Sequence, residues 1–264
     1  MKTHIAINGA CGRMGQRLVA LAKDDPELVV AAAVDSPRHP LHGRDAGEVA
    51  GVGPIGVPVT GELLPQTRVE CVIDFSVPAG TMAILPTCVA RKIPLVVATT
   101  GHTDAQRAEV EAAAHDTAVL FAPNMSLVVN LLFKLTRLTA EALRGKGFDV
   151  EIVERHHRYK KDSPSGTAVR FAEIVREAAG GGRFVHGREG LVGERTADEI
   201  GIHAVRGGDN VGEHTIIFTT LGETLELVHK GHSRDSYARG ALLAAKFLAT
   251  KTAGRYTMAD VLGL

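Results

Sequence analysis

The sequence predicts an α/β fold in two parts. A parallel sheet covered by helices comes first, and a smaller α+β part built on a mixed sheet follows. Three observations predict it. Apolar strand-like and helix-like stretches alternate through the first half, a glycine-spaced turn joins the first strand to the first helix, and after Asn124 short glycine turns separate strands instead.

Taken in order, residues 4–8 form a short strand carrying Ile5 and Ile7, and 13–23 form a helix stopped by Asp24-Asp25-Pro26. Residues 28–34 are a continuous Val- and Ala-rich run, as expected for a strand buried on both faces. A loop rich in Gly and Pro follows, through Gly43, Gly47, Gly51, Gly53 and Pro54. Strands at 69–75, 95–98 and 118–121 then alternate with helices at 79–90 and 104–115. From 126 to 144 the pattern is one long amphipathic helix. A strand at 149–154 and a helix at 165–179 come next, the helix ending at Gly180-Gly181-Gly182. Strands at 200–206, 213–221 and 224–229 are joined by turns at Gly207-Gly208-Asp209-Asn210 and Gly222-Glu223. A helix at 237–249 closes the pattern. Domains are expected at 1–125 with 237–264, and at 126–236.

Composition narrows the function. Across 264 residues, apolar types make up 45% and charged types 23%, which is ordinary for a globular chain and argues against disorder. Thirty Lys and Arg balance thirty Asp and Glu, so the basic excess that sequence-independent DNA or anionic membranes require is missing. Trp is absent and Tyr numbers 3, which leaves few rings for stacking single-stranded bases. No apolar run approaches the ~18 residues of a membrane span. The N-terminal apolar stretch is too short for a signal peptide. Cys11, Cys71 and Cys88 are odd in number and widely spaced, with no CxxC pair. A cytoplasmic protein is expected, without nucleic-acid or membrane partners.

Gly9-Ala10-Cys11-Gly12-Arg13-Met14-Gly15 lies between the first strand and the first helix. Gly9 suits the tight turn, Gly12 leaves room for a pyrophosphate to approach the backbone, and Gly15 lets helix and strand pack closely. The helix start then offers N–H groups and a positive dipole end to phosphates. The spacing is GxxGxxG rather than GxGxxG, but Asp35 ends the second strand about 20 residues after Gly15, where a ribose-binding carboxylate belongs. The alternative is a plain βα turn with a solvated Asp. A Rossmann-like dinucleotide-binding domain fits motif and context together. Asp35 followed by Ser36 leans toward NAD(H), since a carboxylate accepts from a 2′-hydroxyl and repels a 2′-phosphate. Arg13 and Arg38 leave NADP(H) open.

The densest polar cluster runs from Glu154 to Ala168: Glu-Arg-His-His-Arg-Tyr-Lys-Lys-Asp-Ser-Pro-Ser-Gly-Thr-Ala. It leaves a strand and enters a helix. His156 and His157 can exchange protons near neutral pH, and Lys160 can neutralise a carboxylate or give up a proton. Ser165, Gly166 and Thr167 form a helix start suited to a small anion. Two alternatives stand beside this substrate loop. One is a solvated basic loop. The other is a metal-binding His pair, against which stand the lack of a third ligand at standard spacing and the charge of Lys160.

With both clusters in place, the chain resembles the 4-hydroxy-tetrahydrodipicolinate reductase (dihydrodipicolinate reductase) family of bacterial lysine biosynthesis over nearly its full length. The family's Glu-x-His-His-x-x-Lys-x-Asp-x-Pro-Ser-Gly-Thr-Ala run stands at Glu154 through Ala168. Arg206-Gly207-Gly208-Asp209 through Val211-Gly212-Glu213-His214-Thr215 is a further match. The resemblance implies that His156 donates or accepts a proton, that Lys160 donates one, that His157 binds substrate, and that Ser165, Gly166 and Thr167 bind a substrate carboxylate. It implies cofactor contacts at Gly9, Ala10, Cys11, Gly12, Arg13, Met14 and Asp35. Others are implied at Ala98, Thr99 and Thr100, and at Ala122, Pro123, Asn124 and Met125. Many members carry Arg where Ser36 stands, which weakens an expectation of strong NADPH preference. The implied reaction is NADH- or NADPH-dependent reduction of a cyclic dicarboxylate with loss of water, with no metal, in a homotetramer assembled through the second domain's sheet. Domain closure over the substrate is expected with it. Another two-domain NAD-dependent dehydrogenase and a non-catalytic dinucleotide sensor are the competing readings, and neither accounts for the Glu154–Ala168 string.

Overall fold

The computed structural model describes residues 2–264. Strand β1 (Thr3–Asn8) leads into α1 (Arg13–Lys23), β2 (Leu28–Val34), the short α2 (Ala46–Val49), β3 (Val59–Thr60) and β4 (Cys71–Asp74). Next come α3 (Pro78–Ala90), β5 (Leu95–Val97), α4 (Asp104–Ala112), β6 (Ala118–Phe121) and the long α5 (Leu127–Leu143). The following stretch holds β7 (Asp149–His156), α6 (Gly166–Ala179), β8 (Arg183–His186), β9 (Glu199–Arg206), β10 (Gly212–Thr220) and β11 (Glu223–Gly231). The chain closes with α7 (Asp235–Leu248), β12 (Gly254–Tyr256) and α8 (Met258–Leu262). It divides into two compact units: the chain through Leu127 together with Arg234–Leu264, and Val128–Ser233.

The first unit holds a seven-stranded sheet in the order β3-β2-β1-β4-β5-β6-β12. Every pairing in it is parallel. The order 3-2-1-4-5-6 is that of doubly wound dinucleotide-binding sheets, in which the winding reverses beside β1 and ligands sit beyond the carboxyl ends of the strands. Side chains alternate between the faces. Ile5, Ile7 and Ile73 join a core with Leu18 and Val19 of α1 and with Leu242 and Leu248 of α7. Ala6, Val72, Leu95 and Val97 join a second core with Ile84, Leu85 and Val110 on the opposite face. Both faces are therefore covered, which explains why β2 and β5 read as unbroken apolar runs.

The second unit holds a five-stranded mixed sheet in the order β11-β10-β7-β9-β8. β10 runs antiparallel to β7 and β11, while β7, β9 and β8 are mutually parallel neighbours. Ile152, Ile200, Ile202, Ile216 and Phe218 face α5 and α6, where Val129, Leu132, Phe171 and Val175 complete the core. The period of two places Val153, Val205, Ile217 and Val228 on the other face of the sheet. Val205 and Val228 are 47% and 45% exposed there, so this chain leaves that face largely bare.

The sequence pattern missed the shortest elements. β3, β8 and β12 have two to four residues and are recruited by neighbouring strands, too few for periodicity to register. Within the Gly/Pro stretch, Asp45 organises a loop and caps α2. Its carboxylate accepts from the N–H groups of Gly47, Glu48, Ile55, Gly56 and Val57.

Candidate active site

At the carboxyl edge of the first unit's sheet, the chain turns from β1 into α1 through Gly9–Gly12. Gly9 has φ +81°, and a Cβ there would stand 2.6 Å from the Phe75 carbonyl oxygen. A Cβ on Gly15 would stand 2.1 Å from the Gly9 oxygen, so the close packing of helix on turn requires glycine. Gly12 is the N-cap of α1 and supplies no side-chain hydrogen bond. The first N–H groups of a helix have no partner within it, so this end is open to an anion. A cavity of about 520 Å3 lies over the turn, lined among others by Gly9, Gly12, Asp35, Ser36, Ser76 and Gly80. Asp35 stands at its rim, accepting from the backbone N–H groups of Cys11 at 2.8 Å and Ser36 at 2.8 Å. The turn and the acid that follows it are thus tied together. Burial, followed by the Asp35 charge, pushes the Cys11 thiol up to about 11, so it stays protonated and unreactive at neutral pH.

Along the same edge stand the segments after β5 and β6. Ala98, Thr99, Ala122 and Met125 are buried, whereas Thr100 and Pro123 are exposed and Asn124 is half-buried. The two segments join where the Ala122 N–H donates to the Val97 carbonyl at 3.0 Å. The Thr99 side chain is engaged inside the protein. Its hydroxyl donates to Asp74 Oδ2 at 2.9 Å and accepts from the Ser76 N–H at 2.9 Å. Asp74 is fully buried and also receives Asn8 Nδ2 at 2.8 Å, the Ser76 hydroxyl at 2.5 Å and the Thr81 hydroxyl at 2.5 Å. Sequence reasoning missed this carboxylate, which ties together the ends of β1, β4 and β5. The only signal was an Asp-Phe-Ser ending on an apolar strand.

The second cluster lies wholly in the second unit. His156 is the last residue of β7 and is buried; His157 follows it into the loop and is partly buried. Loop and neighbouring turn are zipped together: His157 N–H donates to the Asn210 carbonyl, Gly207 N–H to His156 and Arg158 N–H to Gly208. Lys160 turns its ammonium onto Asp162, at 2.8 and 2.9 Å from the two oxygens. His157 Nδ1 is buried and has no hydrogen-bond partner among the described residues. At the loop's end, Ser165 caps α6, accepting from the Ala168 N–H at 3.2 Å. Gly166 and Thr167 begin the helix. A Cβ on Gly166 would meet open space.

Beneath the loop lies Glu154, fully buried. His156 Nδ1 lies 2.6 Å from its Oε2, the Ser165 N–H donates to Oε1 at 2.9 Å, and Arg206 donates one bond to each oxygen, both at 2.7 Å. Burial pushes the carboxyl up, but the hydrogen bonds from His156, Arg206 and Ser165 outweigh it and bring Glu154 down to about 2. It is therefore an anion at neutral pH. His214 packs behind His156 with ring centroids 5.4 Å apart, and its Nε2 lies 3.3 Å from the Ser165 hydroxyl. Burial, helped by the neighbouring His156 and His229, drives His214 down to about 3, so it is neutral. Glu154, Arg206 and His214 were visible in the sequence as parts of matching strings. Their convergence depends on β7, β9 and β10 being neighbours, and no local pattern reports that.

Every sequence-predicted nucleotide residue falls in the first unit, and every predicted substrate or proton-transfer residue falls in the second. Among the described residues, no group of three or more His, Cys, Asp or Glu stands close enough to hold a metal ion. No helix of the described residues is long and apolar enough to cross a membrane.

Comparison with known proteins also divides the chain near residue 127, but it counts the last helices, which pack in the first unit, with the C-terminal part. The family model described as "Dihydrodipicolinate reductase, N-terminus" matches residues 3–125, and "Dihydrodipicolinate reductase, C-terminus" matches residues 128–262. A 4-hydroxy-tetrahydrodipicolinate reductase of Syntrophotalea carbinolica is 47% identical over 264 residues, covering 98% of this chain and 98% of its own. One from Geobacter sp. (strain M21) is 46% identical with the same coverage. Among solved structures, a dipicolinate-bound dihydrodipicolinate reductase from Paenisporosarcina sp. TG-14 superposes with a TM-score of 0.77. It is 24% identical and covers 98% of this chain and 99% of its own.

Proposed function

Because this chain belongs to the dihydrodipicolinate reductase family, we propose that it reduces 4-hydroxy-tetrahydrodipicolinate to tetrahydrodipicolinate, with loss of water, in the diaminopimelate route to lysine. The observation that carries the reading beyond the family is the Glu154–Ala168 segment. It gathers two histidines, a lysine and a serine-capped helix start beside one another. A small dicarboxylate needs that chemistry. The Lys160 ammonium, His157 and the first turn of α6 at Ser165, Gly166 and Thr167 neutralise and orient its two anionic groups.

A nicotinamide dinucleotide supplies hydride from its nicotinamide C4. The Gly9–Met14 turn fits its pyrophosphate, because the uncapped start of α1 opens on the cavity. Asp35 accepts from the adenosine ribose, and the segments Ala98–Thr100 and Ala122–Met125 meet the nicotinamide end. The conjugated unit of the substrate gains hydride at a ring carbon and a proton at its far end. His156 and Lys160 hold and deliver that proton. The bare face of the second sheet, with Val153, Val205, Ile217 and Val228, joins four copies into a tetramer. A reduced cytoplasm suits the three buried free thiols.

NADH is the favoured cofactor. Ser36 adds no cation beside Asp35, and the backbone N–H groups of Cys11 and Ser36 hold its carboxylate in place at the rim. NADPH remains a substrate through Arg13 and Arg38, both exposed near the rim in sequence.

A coupled absorbance assay tests the whole. Aspartate semialdehyde, pyruvate and a dihydrodipicolinate synthase generate the substrate in place, and oxidation of NADH or NADPH is followed. Synthase-dependent oxidation, faster with NADH, is expected. No oxidation by folded protein that binds a nucleotide would remove the activity, and a faster NADPH rate would overturn the assignment of Asp35 and Ser36.

A further inference from the structure

One buried carboxylate does not touch the solvent-facing side of the loop, yet three parts of the site converge on it. Glu154 is ionised and therefore can only accept hydrogen bonds. Its Oε2 lies 2.6 Å from His156 Nδ1. A neutral imidazole facing an acceptor-only oxygen must place its proton on that nitrogen, leaving Nε2 with the lone pair. Among the described residues, no hydrogen bond engages Nε2. The residue against it is Gly212, where a Cβ would stand 2.9 Å from Nε2, so glycine there keeps that atom uncovered.

Arg206 makes the arrangement rigid. It reaches both oxygens of Glu154 from the adjacent strand, where it pairs with His156 in the ladder. Its Nη2 also donates to the Asp162 carbonyl at 2.7 Å, which pins the loop that carries Lys160. The remaining site on Glu154 Oε1 takes the Ser165 N–H, the entry to α6. The four donors fill the carboxylate's acceptor capacity, so the side chain has one orientation. The imidazole packed against His156 is His214, held neutral, while Lys160 and Asp162 pair with each other in the loop that Arg206 pins.

We propose that Glu154, clamped by Arg206, is a positioning residue that fixes the Nδ1–H tautomer of His156, presents Nε2 as the atom that exchanges a proton, and anchors the start of α6 through Ser165. This deepens the reading of His156 as a proton-transfer group and rests on it. It assigns no contact between Glu154 and substrate.

The tautomer can be read without turnover. Nitrogen-15 spectra of histidine-labelled protein are recorded, with the His156 signals assigned from their loss in His156→Gln. The neutral ring in the unmutated protein is expected to be protonated at Nδ1. In Glu154→Gln, the amide N–H2 faces a donor whichever way it lies, and a measurable share of the Nε2–H form is expected. Turnover should fall about 10–100-fold with unchanged nucleotide affinity, the scale typical of lost orienting partners. Should that variant fail to fold, Arg206→Gln retains the carboxylate. It should keep the Nδ1–H signal while lowering kcat as the clamp loosens. An Nε2–H form in the unmutated protein overturns the proposal outright, as does an unchanged tautomer with full turnover in Glu154→Gln. Full turnover in His156→Gln would instead remove the catalytic reading while leaving the tautomer result standing.

Discussion

The β1–α1 turn and the β7–α6 loop each bring a strand into a helix N-terminus, and they are built by opposite means. At the first, backbone does the work. Gly12 gives α1 no side-chain cap, and Gly9 and Gly15 pack so closely that a single methyl would collide with a carbonyl. At the second, side chains do it. Ser165 caps α6, Glu154 holds the entry to the helix, Arg206 holds Glu154, and Gly166 has empty space around its Cα. One end is specified by steric exclusion and the other by charge and hydrogen bonding. The first should fail when bulk is added, and the second should be the more sensitive to acid and the more tolerant of bulk.

The largest effect expected from breaking this contrast is catalytic. His156→Ala should lower turnover about 10²–10⁴-fold, the usual contribution of a positioned acid or base, while nucleotide affinity stays as it was. Steady-state rates and a nucleotide titration separate the two, and unchanged turnover would take His156 out of the reaction. Lys160→Ala should likewise impair turnover in a protein that melts normally. Its ammonium pairs with Asp162, itself 60% exposed, and such a pair adds little stability.

Bulk comes next. Gly15→Ala should cost about 1–3 kcal/mol by overpacking against backbone that cannot rotate away. Thermal melting should record the loss, with nucleotide affinity falling alongside it. Gly166→Ala is the sharpest control, because its new methyl meets nothing. Its melting temperature should hold or rise slightly, since alanine is the better helix former, and any effect should appear in KM for the dicarboxylate alone. A large destabilisation by Gly166→Ala, or none by Gly15→Ala, would dissolve the distinction.

Acid should divide the two units more gently. Glu151 and Glu154 are both held down to about 2 in the folded second unit; burial opposes this, and ion pairs with Arg188 and Arg206 respectively contribute to it. Carboxyls with lowered folded values stabilise the fold above about 4.5, and that contribution is lost as pH falls toward 2. His214 acts in the same direction. Its folded value of about 3 lies below the usual 6.5, so the unfolded chain takes up the proton first and stability drains away between those values. In the first unit the corresponding carboxyl is Glu70, about 2, but its side chain is one-third exposed and its pairs with Arg68 and His4 are screened by water. Pulse-labelled hydrogen exchange should therefore find protection lost from β7, β9 and β10 before β1, β4 and β5 on acidification. The opposite order would refute the assignment.

Much of the first unit was legible in the sequence. Unbroken runs such as Leu28–Val34 report burial on both faces, and the Gly9–Gly15 spacing before Asp35 reports the turn and its acid. Of the second cluster, the sequence supplied the members but not the geometry. His156 and His157 are neighbours in the chain, yet one is sealed at the end of a strand and the other opens the loop. Asp74 gave almost no signal, although it binds together segments from three strand ends.

Composition, periodicity and motif spacing by themselves pointed to an α/β chain with a glycine turn and a polar strand-to-helix segment, and the Glu154–Ala168 string carried the family resemblance, because each is written locally. Tertiary structure alone decided that Glu154 and Arg206 meet, that His214 sits neutral behind His156, and that Lys160 turns to Asp162. Those contacts join residues brought together by strand order, and a parallel β7–β9 pair sets Arg206 beside His156 across fifty positions of sequence. Local pattern encodes which face of an element is apolar. Which elements become neighbours depends on how those faces are buried together, and here the chemistry follows from that burial.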